Sequence, residues 1–367
     1  MKAGPPAILV VDDELDDAQN FKRDVGDAAH VEIRTPDEVR KSDLERADLV
    51  LVDYELDAWL GSKERLMSPA NGLALSAVIR EQISALSRGT VTAVALWSGQ
   101  VEKIASTLPA GLQSFAFARL NNLEWVFKKG TDEAAPGAVS LAWAVRELPR
   151  TWPIGDPEMA TKELHKLLGL STDMPFFVSA ADEVSAGHPP IHELSAATHG
   201  LVVIRWIAHR ILPYPAFLLA RLDLASRLRI DPLGLDRLLV EKSEFSRQLE
   251  GVEYKGALRG LYDRNWWRSG LEGLIFDWTG GSGGLDVLHQ SIRERAKHEV
   301  VFLDHEVVPG IDESYRAAEL IPVEDALRLR LDDWPPFADA AWAERSLAAD
   351  SDQLRGLVLP LDRELLA

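Results

Sequence analysis

Cysteine is absent from the 367-residue chain, which excludes disulfides, thiol nucleophiles and cysteine-ligated zinc. Long apolar runs are lacking too. The most hydrophobic stretch, Leu201 to Ala220, is broken by Arg205, His209, Arg210, Pro213 and Pro215, so it reads as a buried helix rather than a membrane span. Met1-Lys2 precedes a proline pair and an apolar run too short for a secretory h-region, which leads to the expectation of a soluble cytoplasmic protein. Basic charge is scarce: 40 Lys and Arg face 58 Asp and Glu, a formal charge of -18, and no Lys/Arg-rich block stands out. Such a chain repels phosphate backbones, so neither a nucleic-acid partner nor a membrane partner is expected. The run Gly280-Gly281-Ser282-Gly283-Gly284 lacks the Lys-Ser/Thr of a phosphate-binding loop and reads as a flexible turn.

A hydrophobic fraction of 46% supports real cores, and the length is enough for two domains. Pro149-Arg150-Thr151-Trp152-Pro153, followed by Gly155 and Pro157, marks a linker and sets expected domains at 1–150 and 155–367.

In the first domain, two runs of branched apolar residues stop abruptly at acids. These are Ile8-Leu9-Val10-Val11-Asp12-Asp13-Glu14 and Asp48-Leu49-Val50-Leu51-Val52-Asp53. Continuous Val/Ile/Leu runs are the pattern of strands buried on both faces of a parallel sheet, and chemistry in such sheets gathers beyond the carboxyl ends of the strands. Asp12, Asp13 and Asp53 would then meet at one edge. Three neighbouring carboxylates resist full ionisation unless a cation joins them, and magnesium, a hard ion preferring oxygen ligands, suits them. The plainer reading is that each acid group only caps the helix that follows it.

The remaining pattern is βα repeated. Helical spacing runs from Glu14 to Ala29, and Val31 to Arg34 alternates as a strand. Pro36 opens a second helix to Arg46, and Gly72 to Leu86 gives a third. Thr90 to Trp97 is a fourth strand ending at Ser98. A helical region follows from Val101 through Leu108, resuming near Phe115; Leu123 to Phe127 is a fifth strand ending at Lys128-Lys129, and Ala134 to Leu148 a last helix. The segment Glu55 to Asn71 interrupts this pattern and reads as a functional loop beside the acids.

Strands ending in Asp-Asp, Asp, Ser and Lys, in that order, resemble the receiver domain of two-component response regulators over roughly residues 5 to 148. The resemblance implies a doubly wound (βα)5 sheet of flavodoxin-like order 2-1-3-4-5. It implies phosphorylation of Asp53 and magnesium held by Asp12, Asp13, Asp53 and the carbonyl of Glu55. Ser98 and a lysine would bond the phosphoryl oxygens. The family's aromatic switch residue lies three positions before that lysine, which pairs Trp125 with Lys128 and favours Lys128; choosing Lys129 would put Val126 in the switch position. Trp125 also reads as a plain core aromatic. The implied partners are a histidine kinase or phosphotransfer protein, and a protein effector or second copy of the chain.

The second half reads as mainly helical with a few short strands: helices at Met159–Leu168, His192–Leu212, Pro215–Leu228, Leu233–Leu249 and Lys255–Trp278, and one from the glycine run to His298. Strands are expected at Val300–Leu303 and Leu327–Leu331. It resembles no family. Eight of the nine histidines lie there, including His188, His192, His199 and His209, and their dispersal points to core or solvated residues rather than a metal site. Trp266-Trp267 reads as core or as a docking anchor, and Arg328/Arg330 as a solvated strand face. Three functions follow: a response regulator acting through protein contacts, a receiver-regulated enzyme with its site in the second half, or a pseudo-receiver that only binds.

Overall fold

The computed structural model describes residues 4–60, 69–86, 91–149, 152–153, 155–191, 194, 200–331 and 334–366. The chain forms two units. The first comprises residues 1–169, 189–210 and 256–262, and the second 170–188, 211–255 and 263–367. The first unit thus draws in segments beyond the expected boundary near 150, and apolar and backbone contacts explain why. Gly200 lies against Leu148 and Trp152, and the Ala257 amide donates to the Leu167 carbonyl at 2.7 Å.

The first unit is α/β. Its elements are β1 (Ala7–Val11), α1 (Leu15–Val25), β2 (His30–Arg34), α2 (Lys41–Arg46), β3 (Leu49–Asp53), α3 (Asp57–Leu60), α4 (Gly72–Ser84) and β4 (Ala93–Ser98). α5 (Val101–Ile104), α6 (Gln113–Leu120), β5 (Val126–Lys128), α7 (Ala134–Glu147) and α8 (Pro157–Leu167) follow. Five strands form one all-parallel sheet in the order β2-β1-β3-β4-β5. The second expected helix is shorter than its periodicity suggests, with a 3-10 turn at Pro36–Glu38 before α2.

Strand side chains alternate between faces, and both rows are apolar here because helices cover both. Leu9, Val11, Val50, Val52, Val94, Leu96 and Val126 pack in one core with Leu75 and Ile79 of α4 and Ala118 of α6. On the other face Trp97 meets Phe21 of α1 edge-on at 4.7 Å, and Phe127 abuts Gly137 of α7. The segment 61–68, inside the expected functional loop, lies outside the described residues.

The second unit begins with α9 (Phe177–Ala186), absent from the sequence reading. The chain then returns to the first unit with α10 (Leu201–Trp206), which runs into a π-helical turn at Ile207–Ile211. The expected start of this helix at His192 lies outside the described residues, as does His199. The second unit continues with β6 (Leu218–Leu219), α11 (Arg221–Leu228), α12 (Pro232–Val240), α13 (Glu244–Gly251), β7 (Trp266–Trp267), α14 (Arg268–Trp278) and α15 (Leu285–Arg295). A four-stranded sheet in the order β10-β11-β8-β9 follows, from β8 (Val307–Ile311), β9 (Ala317–Pro322), β10 (Ala326–Leu329) and β11 (Ala341–Glu344). α16 (Arg345–Asp350) and α17 (Asp352–Leu357) close the series.

Three expected helices are corrected. Leu233–Leu249 is two helices, because Ser243 caps α13 by accepting from the Ser246 amide at 3.1 Å. Within Lys255–Trp278 only Arg268 onward is helical; Leu258 has a positive φ of 64°, and Trp266-Trp267 pairs as a strand with Leu218-Leu219. That same pairing takes the start of Pro215–Leu228 out of helix. Val300–Leu303 makes only a bridge, Phe302 to Ile230. Trp266 and Trp267 are fully buried, and Arg328, with its side chain 38% exposed beside the exposed Arg330, forks onto Asp362.

Candidate functional site

The register of the sheet decides which side chains meet. Asp53 lies beside Trp97, and Trp97 beside Phe127, so these three share a face. Asp12 continues the row of Ile8 and Val10 on β1, while Lys129 continues the row of Trp125 and Phe127 on β5. Alternation therefore brings Asp12, Asp53 and Lys129 to one side at the carboxyl edge. Lys128 belongs to the opposite row, that of Val126.

The contacts follow this parity. Lys129 Nζ lies 2.9 Å from Asp12 Oδ2 and 2.9 Å from Asp53 Oδ2. Lys128 instead pairs with Glu102 of α5 and is largely exposed. The preference for Lys128 is thus corrected: Lys129 is the lysine of the site. Asp17, on the first turn of α1, adds a carboxylate 3.9 Å from the same ammonium.

Asp12 Oδ1 accepts from the Glu14 amide at 2.9 Å, and Asp53 Oδ1 from the Glu55 amide at 3.4 Å. Glu55 is held to the site by that amide; the side chains that converge are Asp12, Asp13 and Asp53, one oxygen of each within 4.8 Å of the others. Asp13 Oδ2 accepts from the Trp59 amide at 2.7 Å, whereas its buried Oδ1 has no hydrogen-bond partner among the described residues. Ser98 is fully buried; its carbonyl accepts from the Lys129 amide at 2.9 Å and its Oγ from Gln100 at 3.0 Å. The Ser98 hydroxyl proton remains available to donate.

The connection after Asp53 returns tightly onto the strand end. Gly72 donates its amide to the Tyr54 carbonyl at 2.9 Å, and Asn71 caps α4 by accepting from Ala74 at 3.0 Å. Gly72 is required there because a Cβ would fall 1.7 Å from the Asp53 carbonyl oxygen.

Electrostatics make the cluster cation-seeking. Burial, and then the charge of Asp12, push the Asp53 carboxyl up to about 7 against the pull of Lys129 and the Glu55 amide. Burial also opposes the charge on Lys129, but the bonds and charges of Asp53 and Asp12 outweigh it and hold its pKa above the ordinary lysine value. One ammonium does not satisfy three carboxylates. An all-oxygen donor set with an orphaned buried oxygen fits a hard divalent cation such as magnesium.

Compared with protein-family models, curated proteins and solved structures, the chain has no match. Among the described helices, none is long and apolar enough to cross a membrane. Elsewhere, Trp125 is buried among Phe115, Phe127, His209 and Tyr262. His209 was legible only as a dispersed histidine; its place against the Trp125 ring depends on tertiary contact.

Proposed function

We propose that the first unit is a phosphate-accepting receiver of a two-component relay, with Asp53 as the acceptor and the second half of the chain as its output. The observation that supports this reading best is the convergence of Asp12, Asp13, Asp53 and the Lys129 ammonium. They come from the ends of three strands far apart in sequence. The strand order agrees with a doubly wound, flavodoxin-like sheet, whose ligands bind at this edge.

In this reading an Asp53 oxygen attacks the phosphorus of a phosphohistidine or a small acyl phosphate. A new P–O bond forms, the donor's P–N or P–O bond breaks, and the donor leaves with the electron pair. Asp12, Asp13 and Asp53, with the Glu55 carbonyl, would hold magnesium, which supplies positive charge to the phosphoryl oxygens. Lys129, 2.9 Å from Asp53 Oδ2 before a cation binds, favours the ionised form of Asp53 and would offer its ammonium to the incoming phosphoryl oxygens. Ser98 offers its hydroxyl as a donor to the transferred group. A histidine kinase or phosphotransfer protein in the cytoplasm would supply the phosphate, and a protein effector or second copy of the chain would receive the signal.

The test is mass spectrometry after incubation with acetyl phosphate and magnesium. The wild-type chain gains one phosphoryl group and Asp53→Asn gains none. Labelling that persists in the variant would refute the acceptor assignment, and a wild-type chain that stays unlabelled would sink the receiver reading.

A further inference from the structure

Strand β5 lies at an edge of the sheet, so among the described residues its outward backbone has no neighbouring strand. Residues 201–210 occupy that position at the start of the strand segment. Arg205 Nε donates to Glu124 Oε1 at 2.8 Å, its Nη2 bonds the same oxygen, and its Nη1 bonds the Asn122 side chain. One turn later, His209 Nε2 lies 2.7 Å from the Glu124 carbonyl oxygen, which fixes Nε2 as the protonated ring nitrogen. The other Glu124 oxygen accepts the Val94 amide of β4 at 2.5 Å. The His209 ring lies against Trp125, with centroids 6.0 Å apart and planes 25° apart.

Arg205 and His209, four residues apart on one helix face, thus grip the segment 122–125 that leads into β5, through Asn122, Glu124 and Trp125. The grip ends in the π-helical turn, a geometry often found at functional sites, and the 189–210 segment of the first unit ends there. The same strand leads directly to Lys129. Between the two, β5 is paired to β4 through Val126, Phe127 and Lys128, and flanking bonds of the Glu124 amide to Val94, the Leu96 amide to the Trp125 carbonyl and the Lys129 amide to Ser98 continue the contact.

We infer that residues 201–210 are a detachable clasp on β5, released when a divalent cation takes the Asp12 and Asp53 carboxylates away from Lys129. The inference rests on the cation-binding reading of the pocket and adds to it the element that responds. Lys129 draws β5 toward the ends of β1 and β3 through two charge-assisted bonds, and a cation competes for the same two carboxylates. Without that hold, the short edge segment 124–129 can shift along β4. The Glu124 contacts at 2.5–2.8 Å are short and directional, so a slide of about 1 Å breaks them. Coupling between two sites is reciprocal, so weakening the clasp tightens cation binding, by at most the factor with which the cation loosens the clasp.

The test uses the full chain with magnesium alone, following hydrogen exchange at the 201–210 amides, and manganese binding by electron paramagnetic resonance on parallel samples. In the wild type magnesium speeds exchange at 203–210 about five-fold or more. Asp13→Asn, which loses a cation ligand, shows no such change. Arg205→Lys, which keeps the charge but not the fork, binds manganese more tightly, and Arg205→Gln, where it folds, more tightly still, up to the full coupling factor. A bound cation with unchanged exchange at 201–210 and unchanged affinity in Arg205→Lys overturns the clasp while leaving the pocket reading intact. A wild-type chain that binds neither magnesium nor manganese removes both together.

Discussion

A methyl group placed on Gly72 would sit 1.7 Å from the carbonyl oxygen of Asp53, with the Asp53 carbonyl carbon at 2.6 Å and Tyr54 Cα at 2.8 Å. All three are backbone atoms, so no side chain can rotate away to make room. Gly72→Ala therefore costs about 3 kcal/mol or more and displaces the end of β3. Gly273, mid-helix in α14 with open space around its Cβ direction, is the control: alanine there stabilises by about 0.5–1 kcal/mol. Denaturant midpoints of the two variants check both signs. A Gly72→Ala protein as stable as wild type would contradict the described return of the chain onto Asp53.

The two adjacent lysines should separate cleanly. Lys129→Met removes the ammonium shared by Asp12 and Asp53, and labelling by acetyl phosphate slows about 100-fold, the size expected for losing one preorganised charge donor. Lys128→Met loses only an exposed pair with Glu102 and stays within about two-fold, since such pairs contribute 1 kcal/mol or less. Initial labelling rates for both variants decide the matter. The reverse ranking would return the role to Lys128.

The acids were legible before the lysine for a physical reason. Asp12 and Asp53 terminate unbroken Val/Ile/Leu runs, and a strand buried on both faces has little other way of looking. The lysine depends on side-chain parity, fixed only by the pairing of Asp53 with Trp97 and of Trp97 with Phe127. A spacing rule counted from Trp125 selects the wrong row. In the second unit the difficulty is of another kind. Leu235, Leu238, Phe245 and Leu249 line one core across two helices, so apolar spacing runs on through the stop at Ser243. β8, Val-Val-Pro-Gly-Ile, has its β-branched run broken by Pro309 and Gly310, and β11, Ala-Trp-Ala-Glu, has no β-branched residue; both are held by strand partners.

At the opposite end of β3, Asp48 and Arg146 form a buried ion pair. Arg146 Nη1 lies 2.8 Å from Asp48 Oδ2, and the same oxygen accepts the Ala7 amide at 2.9 Å, which ties the start of β1 to α7. Removing the guanidinium alone leaves a buried carboxylate short of a partner. Arg146→Met should cost about 3–5 kcal/mol. The double variant Asp48→Asn, Arg146→Met should cost clearly less than the sum of the two single changes, because each single variant strands the other's charge. Urea unfolding of the four proteins measures this, and strict additivity would show that the pair contributes nothing as a pair.

His209 gives the first unit a pH dependence of known sign. Burial, followed by the charges of Arg205 and Arg119, depresses its folded-state pKa to about 4 from an ordinary 6.5, although the Glu124 carbonyl pulls the other way. The folded chain therefore holds the ring neutral where the unfolded chain would protonate it. Its contribution is complete above pH 6.5 and is lost as the pH falls to about 4, a change on the order of 3 kcal/mol. Asp53, pushed up to about 7, and Asp223, pushed up by burial to about 6, act oppositely: their protonated forms favour the folded state as the pH falls. The informative quantity is thus the difference between wild type and His209→Gln, which keeps a donor for the Glu124 carbonyl but does not titrate. That difference should shrink steadily in favour of the variant between pH 6.5 and 4 and stay flat above pH 7. Parallel stability curves across the whole range would mean that His209 is not held neutral on Glu124.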